Sequence, residues 1–192
     1  MTKNKTIILD IDDTIADLKS LLCKEINEHT GENIPCDEWK SFYITNIYKT
    51  IDLPTFYDII IKNKVLERIK PYDSTKSTMD MLYNLGYNLV LISSRSYHPN
   101  AYELTENWLN EHKLPFDHLH ISGDIKKSEF ANRYQHVILS VDDNLDNNED
   151  YRKHSNNESV LLMDQPWNRL NKDYPRINRI DEILNLEQLT YF

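Results

Sequence analysis

Two aspartates, Asp10 and Asp12, close an aliphatic run in Ile7-Ile8-Leu9-Asp10-Ile11-Asp12-Asp13-Thr14. On an extended chain residues i and i+2 project to the same side, so both carboxylates leave the strand together. Acids held that close repel one another, and a bound cation, a shared proton or both must compensate. Mg²⁺ suits such a place, being hard, oxygen-seeking and accustomed to few carboxylates plus phosphate. A second acidic pair follows a second run, Val137-Ile138-Leu139-Ser140-Val141-Asp142-Asp143-Asn144. If the two runs are neighbours in one sheet, Asp10, Asp12 and Asp143 can surround one metal ion. A calcium loop over the second stretch fails, because Asn147 takes the glycine position and Lys153 the closing glutamate position.

Anion-binding candidates lie between these pairs. Leu89-Val90-Leu91-Ile92-Ser93-Ser94-Arg95 is a third aliphatic run, ending in hydroxyls with a helix soon after. Hydroxyls and backbone N–H groups there can cradle a phosphate, although the same serines also serve as caps or turns. Lys126-Lys127 opens the next helix, where a lysine either neutralises a phosphoryl oxygen or stays a solvated charge. The histidines show no zinc spacing. Cys23 and Cys36 form no CxxC and read as reduced thiols.

These residues need elements that bring them together. Residues 6–11, 87–93, 118–122, 136–141 and 159–163 are short, nearly continuous apolar runs, the pattern of strands covered on both faces. Residues 74–85, 99–111, 127–134, 145–154 and 181–189 read as helices, the first stopped by Gly86. Strand alternating with helix predicts an α/β fold with a doubly wound parallel sheet. One interval breaks the rhythm. Residues 17–72 contain no clear strand and read as helices over 18–29, 37–49 and 54–69, far more than a crossover needs. The expected organisation is a core of residues 1–16 and 73–192, with 17–72 inserted as a small helical cap over the strand ends. The cap is rich in aromatics, among them Trp39, Phe42 and Tyr43.

Composition narrows the function. With 192 residues, 40% apolar and 28% charged, the chain reads as one globular domain. A net charge of −9 argues against coating nucleic acid, yet leaves room for a small phosphorylated substrate in a local basic pocket. Three glycines are too few and too scattered for a Walker A loop, a GxGxxG fingerprint or a GxSxG elbow. No apolar run approaches the ~20 residues that span a bilayer, and no signal-peptide pattern precedes the first strand. The expectation is a soluble cytoplasmic protein, with a homodimer left open.

The ordered set of DxDxT at Asp10–Thr14, serine at Ser93, lysine at Lys127 and DD at Asp142-Asp143 resembles the haloacid dehalogenase-like phosphohydrolases over nearly the whole chain. The resemblance implies a phosphomonoester hydrolase working through an aspartyl-phosphate. Asp10 would be the nucleophile, and Asp12 the acid for the leaving group and then the base for water. Ser93, Ser94 and Lys127 would hold the phosphoryl group. Mg²⁺ would sit on Asp10, the Asp12 carbonyl and Asp143, with Asp142 as a further ligand or in the outer shell. A narrower likeness rests on the cap, on Thr105-Glu106-Asn107-Trp108-Leu109 with Leu114-Pro115-Phe116-Asp117, and on Asp164-Gln165-Pro166-Trp167-Asn168-Arg169. These resemble the 5′(3′)-deoxyribonucleotidase group and its bacterial relatives, which implies a nucleoside monophosphate substrate, its base stacked on Trp39, Phe42 or Tyr43. The chain departs from that group at Asp13, where many members carry glycine. Ser93-Ser94-Arg95 and the Thr105/Trp108-Leu109 spacing also resemble the 3′-phosphatase module of polynucleotide kinase-phosphatases. The acidic charge and the long cap weigh against a polynucleotide. A sugar-phosphate phosphatase and a non-catalytic binding protein complete the alternatives.

Overall fold

A computed structural model describes residues 3–190. Six strands form one parallel sheet: β1 (Thr6–Leu9), β2 (Asn88–Ser93), β3 (His118–Ile121), β4 (Val137–Asp142), β5 (Val160–Met163) and β6 (Arg176–Ile177). Their spatial order is β3-β2-β1-β4-β5-β6. The chain first builds outward from β1 through β2 to β3, then returns to lay β4 on the other side of β1. That reversal opens a crevice at the carboxyl ends of β1 and β4, where open α/β sheets bind ligands.

Ile7, Ile8 and Leu9 are fully buried, and β-branched and aliphatic side chains suit a sheet covered on both faces. Alternation sends Ile7, Leu9, Leu89 and Leu91 to one face, with Met79 and Leu82 of α4 (Thr75–Asn84) and Trp108 and Leu109 of α5 (Ala101–Glu111). Ile8, Val90 and Ile92 point to the other, with Phe130 and Ala131 of α6 (Lys127–Ala131) and Tyr151 of α7 (Leu145–His154). Each such buried side chain contributes about 1.5–3 kcal/mol, which makes β1 the anchor of both layers. Among the described residues no helix is long and apolar enough to cross a membrane.

Between β1 and β2 the chain is helical, with α1 (Leu18–Thr30), α2 (Leu53–Lys62) and α3 (Val65–Arg68). Asp17 caps α1 by accepting from the Ser20 N–H at 3.2 Å, and Gly31, at φ +72°, ends it in the left-handed conformation. Apolar residues of this stretch, including Ile26, Tyr48, Ile60 and Leu66, are continuous with the first sheet face.

Several elements differ from expectation. No helix spans 37–49; two 3₁₀ turns, Cys36–Glu38 and Ile44–Asn46, flank extended residues. Ser41 is the physical reason: its hydroxyl accepts from the Tyr43 N–H and from the Asn46 side chain, both at 3.1 Å, offering the backbone a local alternative to a helix. The helix expected over 54–69 starts at Leu53 under an Asp52 cap and breaks at Lys64, whose φ is +50°. The helix over 181–189 is a 3₁₀ segment, Ile180–Asn185, followed by α8 (Glu187–Thr190). β1 pairs only as far as Leu9, α6 ends at Ala131, and β6 is a two-residue strand too short to leave a periodic signal.

Candidate active site

The site grows from the β1–β4 ladder. Leu9 pairs with Val141 in parallel register, and the Asp10 N–H donates to the Val141 carbonyl at 3.0 Å. That register sets Asp10 beside Asp142 and Asp143. Carboxylate oxygens of the three lie within 4.8 Å of one another, and all three residues are buried. Lys127, the first residue of α6, is 3% exposed and reaches into the cluster. Its Nζ donates to Asp10 Oδ1 at 2.5 Å and to Asp142 Oδ2 at 2.7 Å. Asp150 of α7 accepts from the Ser128 N–H at 3.0 Å and so holds the start of α6 in place. Lys126 points outward, 3.8 Å from Asp150.

Three buried carboxylates thus face one ammonium. Burial, with Asp142 and Asp12 close by, outweighs Lys127 and pushes the Asp10 carboxyl up to about 7. Burial and the charges of Asp142 and Asp10 likewise push Asp143 well above the carboxylate range. Burial pulls Lys127 down, but Asp10 and Asp142 more than reverse it, so the lysine stays charged.

The two members of the DD pair are held differently. Asp142 accepts from Lys127, from the Asn144 N–H at 2.9 Å and from Asn147 Nδ2 at 3.1 Å to each oxygen, which leaves it well satisfied. Asp143 accepts one indole N–H, from Trp167 Nε1 at 3.0 Å. Hard oxygen donors, close-packed, buried and in excess of their counter-charge, fit a hard divalent cation. Asp10 and Asp143 keep the freer oxygens for one.

Asp12 does not join this cluster through its carboxylate. The chain turns sharply after β1, with the N–H groups of Ile15 and Ala16 donating to the Ile11 carbonyl at 3.0 and 2.9 Å. The turn leads Asp12 across to the end of β2, where Arg95 Nε donates to Oδ2 at 2.8 Å and Nη2 to Oδ1 at 2.5 Å. Asp13 completes the turn at φ +57°, the left-handed region that glycine adopts freely and other residues adopt at a steric cost. Its own carboxylate accepts from the Lys19 N–H at 2.8 Å and secures the first turn of α1.

Of the two serines, Ser93 is fully buried with its Oγ 3.5 Å from Asp12 Oδ2. Ser94 is exposed to the cavity, its Oγ 3.2 Å from Ser122 Oγ. That cavity, about 380 Å³, has Asp10, Asp12, Lys127, Asp143 and Ser94 at one end, while Leu22, Trp39, Phe42, Phe56, Tyr57 and Trp167 supply apolar walls. Trp39 is 2% exposed and set edge-on against Tyr48, whereas Phe42 and Tyr43 are 46% and 56% exposed. Phe42 meets Trp167 at 6.1 Å between ring centroids, and the Tyr43 hydroxyl donates to Asp146 Oδ2 at 3.0 Å. Arg95 and Trp167 carried no assigned role in the sequence reading. Each nonetheless stands in a stretch that carries a family likeness, Ser93-Ser94-Arg95 and Asp164-Gln165-Pro166-Trp167-Asn168-Arg169.

This sheet architecture recurs in solved structures described as haloacid dehalogenase-superfamily hydrolases and phosphatases. A predicted phosphatase from Clostridium acetobutylicum superposes with a TM-score of 0.65 at 17% identity, over 95% of this chain and 99% of that one. A HAD family hydrolase from Deinococcus radiodurans R1, with bound phosphate and sodium, gives 0.63 at 13% identity, over 96% and 94%. Both likenesses speak for the fold. Among curated proteins, "Putative nucleotidase BH1399" of Halalkalibacterium halodurans is 26% identical over 180 residues, 88% of this chain and 84% of that one. Residues 4–189 match the model of the 5′ nucleotidase, deoxy (Pyrimidine), cytosolic type C protein family. The chain belongs to that family.

Proposed function

We propose that the protein is a Mg²⁺-dependent phosphomonoester hydrolase that acts through an aspartyl-phosphate, with 5′-(deoxy)nucleoside monophosphates as substrates. The observation that carries this reading is Asp10, gripped by Lys127 at one end of an otherwise apolar, aromatic-walled cavity. An Asp10 oxygen attacks phosphorus as the bond from phosphorus to the sugar oxygen breaks, and Asp12 gives that oxygen its proton. Water then attacks the phosphorus of the aspartyl-phosphate, Asp12 takes its proton, and phosphate leaves with Asp10 restored. Lys127 and Ser94 face the phosphoryl oxygens, while Ser93 backs Asp12. Asp10, Asp143 and the Asp12 carbonyl would hold Mg²⁺, with Asp142 behind them, and the ion would neutralise phosphoryl charge.

In this reading residues 17–72 act as the cap, and Phe42 and Tyr43 at its rim, with Trp39 behind, face the base. The cavity volume matches one small ligand, and the net charge of −9 disfavours a strand of phosphates. Such substrates place the enzyme in the cytoplasm. The test is Mg²⁺-dependent phosphate release from 5′- and 3′-nucleotides, sugar phosphates and a 3′-phosphorylated oligonucleotide, with Asp10→Asn as control. Release from nucleotides that Asp10→Asn abolishes is the expected result. Preference for the oligonucleotide would replace the reading with end processing, and preference for a sugar phosphate would replace the substrate class.

A further inference from the structure

Arg95 is fully buried, and a buried guanidinium is costly unless its charge and its N–H groups are matched. Nε and Nη2 grip the two oxygens of Asp12, and Nη1 donates to Thr105 Oγ1 of α5 at 3.2 Å. The Trp108 ring lies 5.9 Å from the guanidinium carbon. Asp12 itself follows the paired part of β1, on a turn, so the ladder does not fix its side chain. A fork bonded to both oxygens fixes the position and the plane of a carboxylate, which a lysine ammonium cannot do.

We propose that Arg95 is the positioning residue of the catalytic acid: from the buried end of β2 it holds both oxygens of Asp12 and so sets how well the enzyme expels a poor leaving group. The inference rests on the role given to Asp12 above. An acid acts only within hydrogen-bond reach of the departing oxygen, and a correctly placed one is worth about 10²–10⁴-fold. A leaving group that departs as a stable anion does not need it. Loss of Arg95 therefore separates substrates by their leaving groups.

The experiment compares single-turnover rates at saturating Mg²⁺ for a nucleoside monophosphate, which expels an alkoxide, and for p-nitrophenyl phosphate. Wild type, Arg95→Lys, Asp12→Asn and the double variant are measured, with Asp10→Asn as control. Arg95→Lys is expected to slow nucleoside release by about 100-fold and nitrophenolate release by less than about fivefold. The double variant should be no slower than Asp12→Asn alone. Equal slowing of both substrates, or additive losses in the double variant, overturns the proposal. Thr105→Val, which removes one guanidinium contact and leaves the ion pair, should show the same selectivity in milder form and covers the case in which Arg95→Lys does not fold. Equal slowing by Thr105→Val also overturns it. If the wild type is inert towards both substrates, or no faster than Asp10→Asn, the hydrolase reading falls and this proposal with it. Failure of Arg95 alone leaves the contrast between wild type and Asp10→Asn intact.

Discussion

Asp10 is the residue where charge and fold pull hardest against each other. Its carboxyl lies among Asp12, Asp142 and one lysine, and burial carries it from an ordinary 3.8 to about 7. A carboxyl that ionises late in the folded chain stabilises the fold while protonated. That contribution is complete below about pH 4 and is lost as the pH rises through 7. Asn at this position never ionises. In the presence of a chelator, the melting temperature of Asp10→Asn relative to wild type should therefore climb between about pH 4 and pH 7. Excess Mg²⁺ should reverse the trend at the upper end, because the ion binds the ionised form and stabilises wild type. Thermal scans of both proteins across pH check this, and a gap that stays flat contradicts it. The residues of this cluster were legible in the sequence because each follows an aliphatic run or opens a helix. Arg95 was not, since its partner Asp12 lies 83 residues away and nothing local marks the pair. Trp167 escaped for the same reason, its bond to Asp143 spanning 24 residues.

At the scale of elements, the five longer strands were readable from their apolar runs, because burial on both faces leaves little choice of residue. The helices over residues 17–72 were readable only in part. Residues 37–49 have helical spacing of aromatics, yet Ser41 diverts the backbone and Trp39 and Tyr48 pack into the shared core from positions just past the two 3₁₀ turns. Spacing alone does not distinguish these outcomes, because tertiary burial of two large rings decides them. The break between α2 and α3 rests on Lys64 at φ +50°, a conformation with a steric cost for any side chain bearing Cβ. Lys64→Gly should raise stability by about 0.5–1 kcal/mol. Denaturant unfolding measures it. A loss of stability instead would mean that the lysine side chain, not the backbone, sets the hinge.

For the whole molecule, the site is a product of chain order. Because β4 returns to the far side of β1, acids from the start and from the later half of the sequence meet at one crevice, and side chains from the long stretch between β1 and β2 line the cavity beside it. The same order has a consequence for how the protein is made. β1 emerges before the other five strands during synthesis, but its bonds join it to residues 82 and 129 positions further on. Contacts so distant in sequence are closed slowly, and an apolar strand waits unpaired while they are translated. Nascent chains stalled before residue 137 should stay sensitive to protease within the β1 region, and resistance should appear only once the later strands have emerged. Early resistance would show that β1 and β2 form a stable unit on their own. The central strand of the finished enzyme is thus its longest-lived folding liability, and synthesis rate and chaperone supply set the yield of active protein.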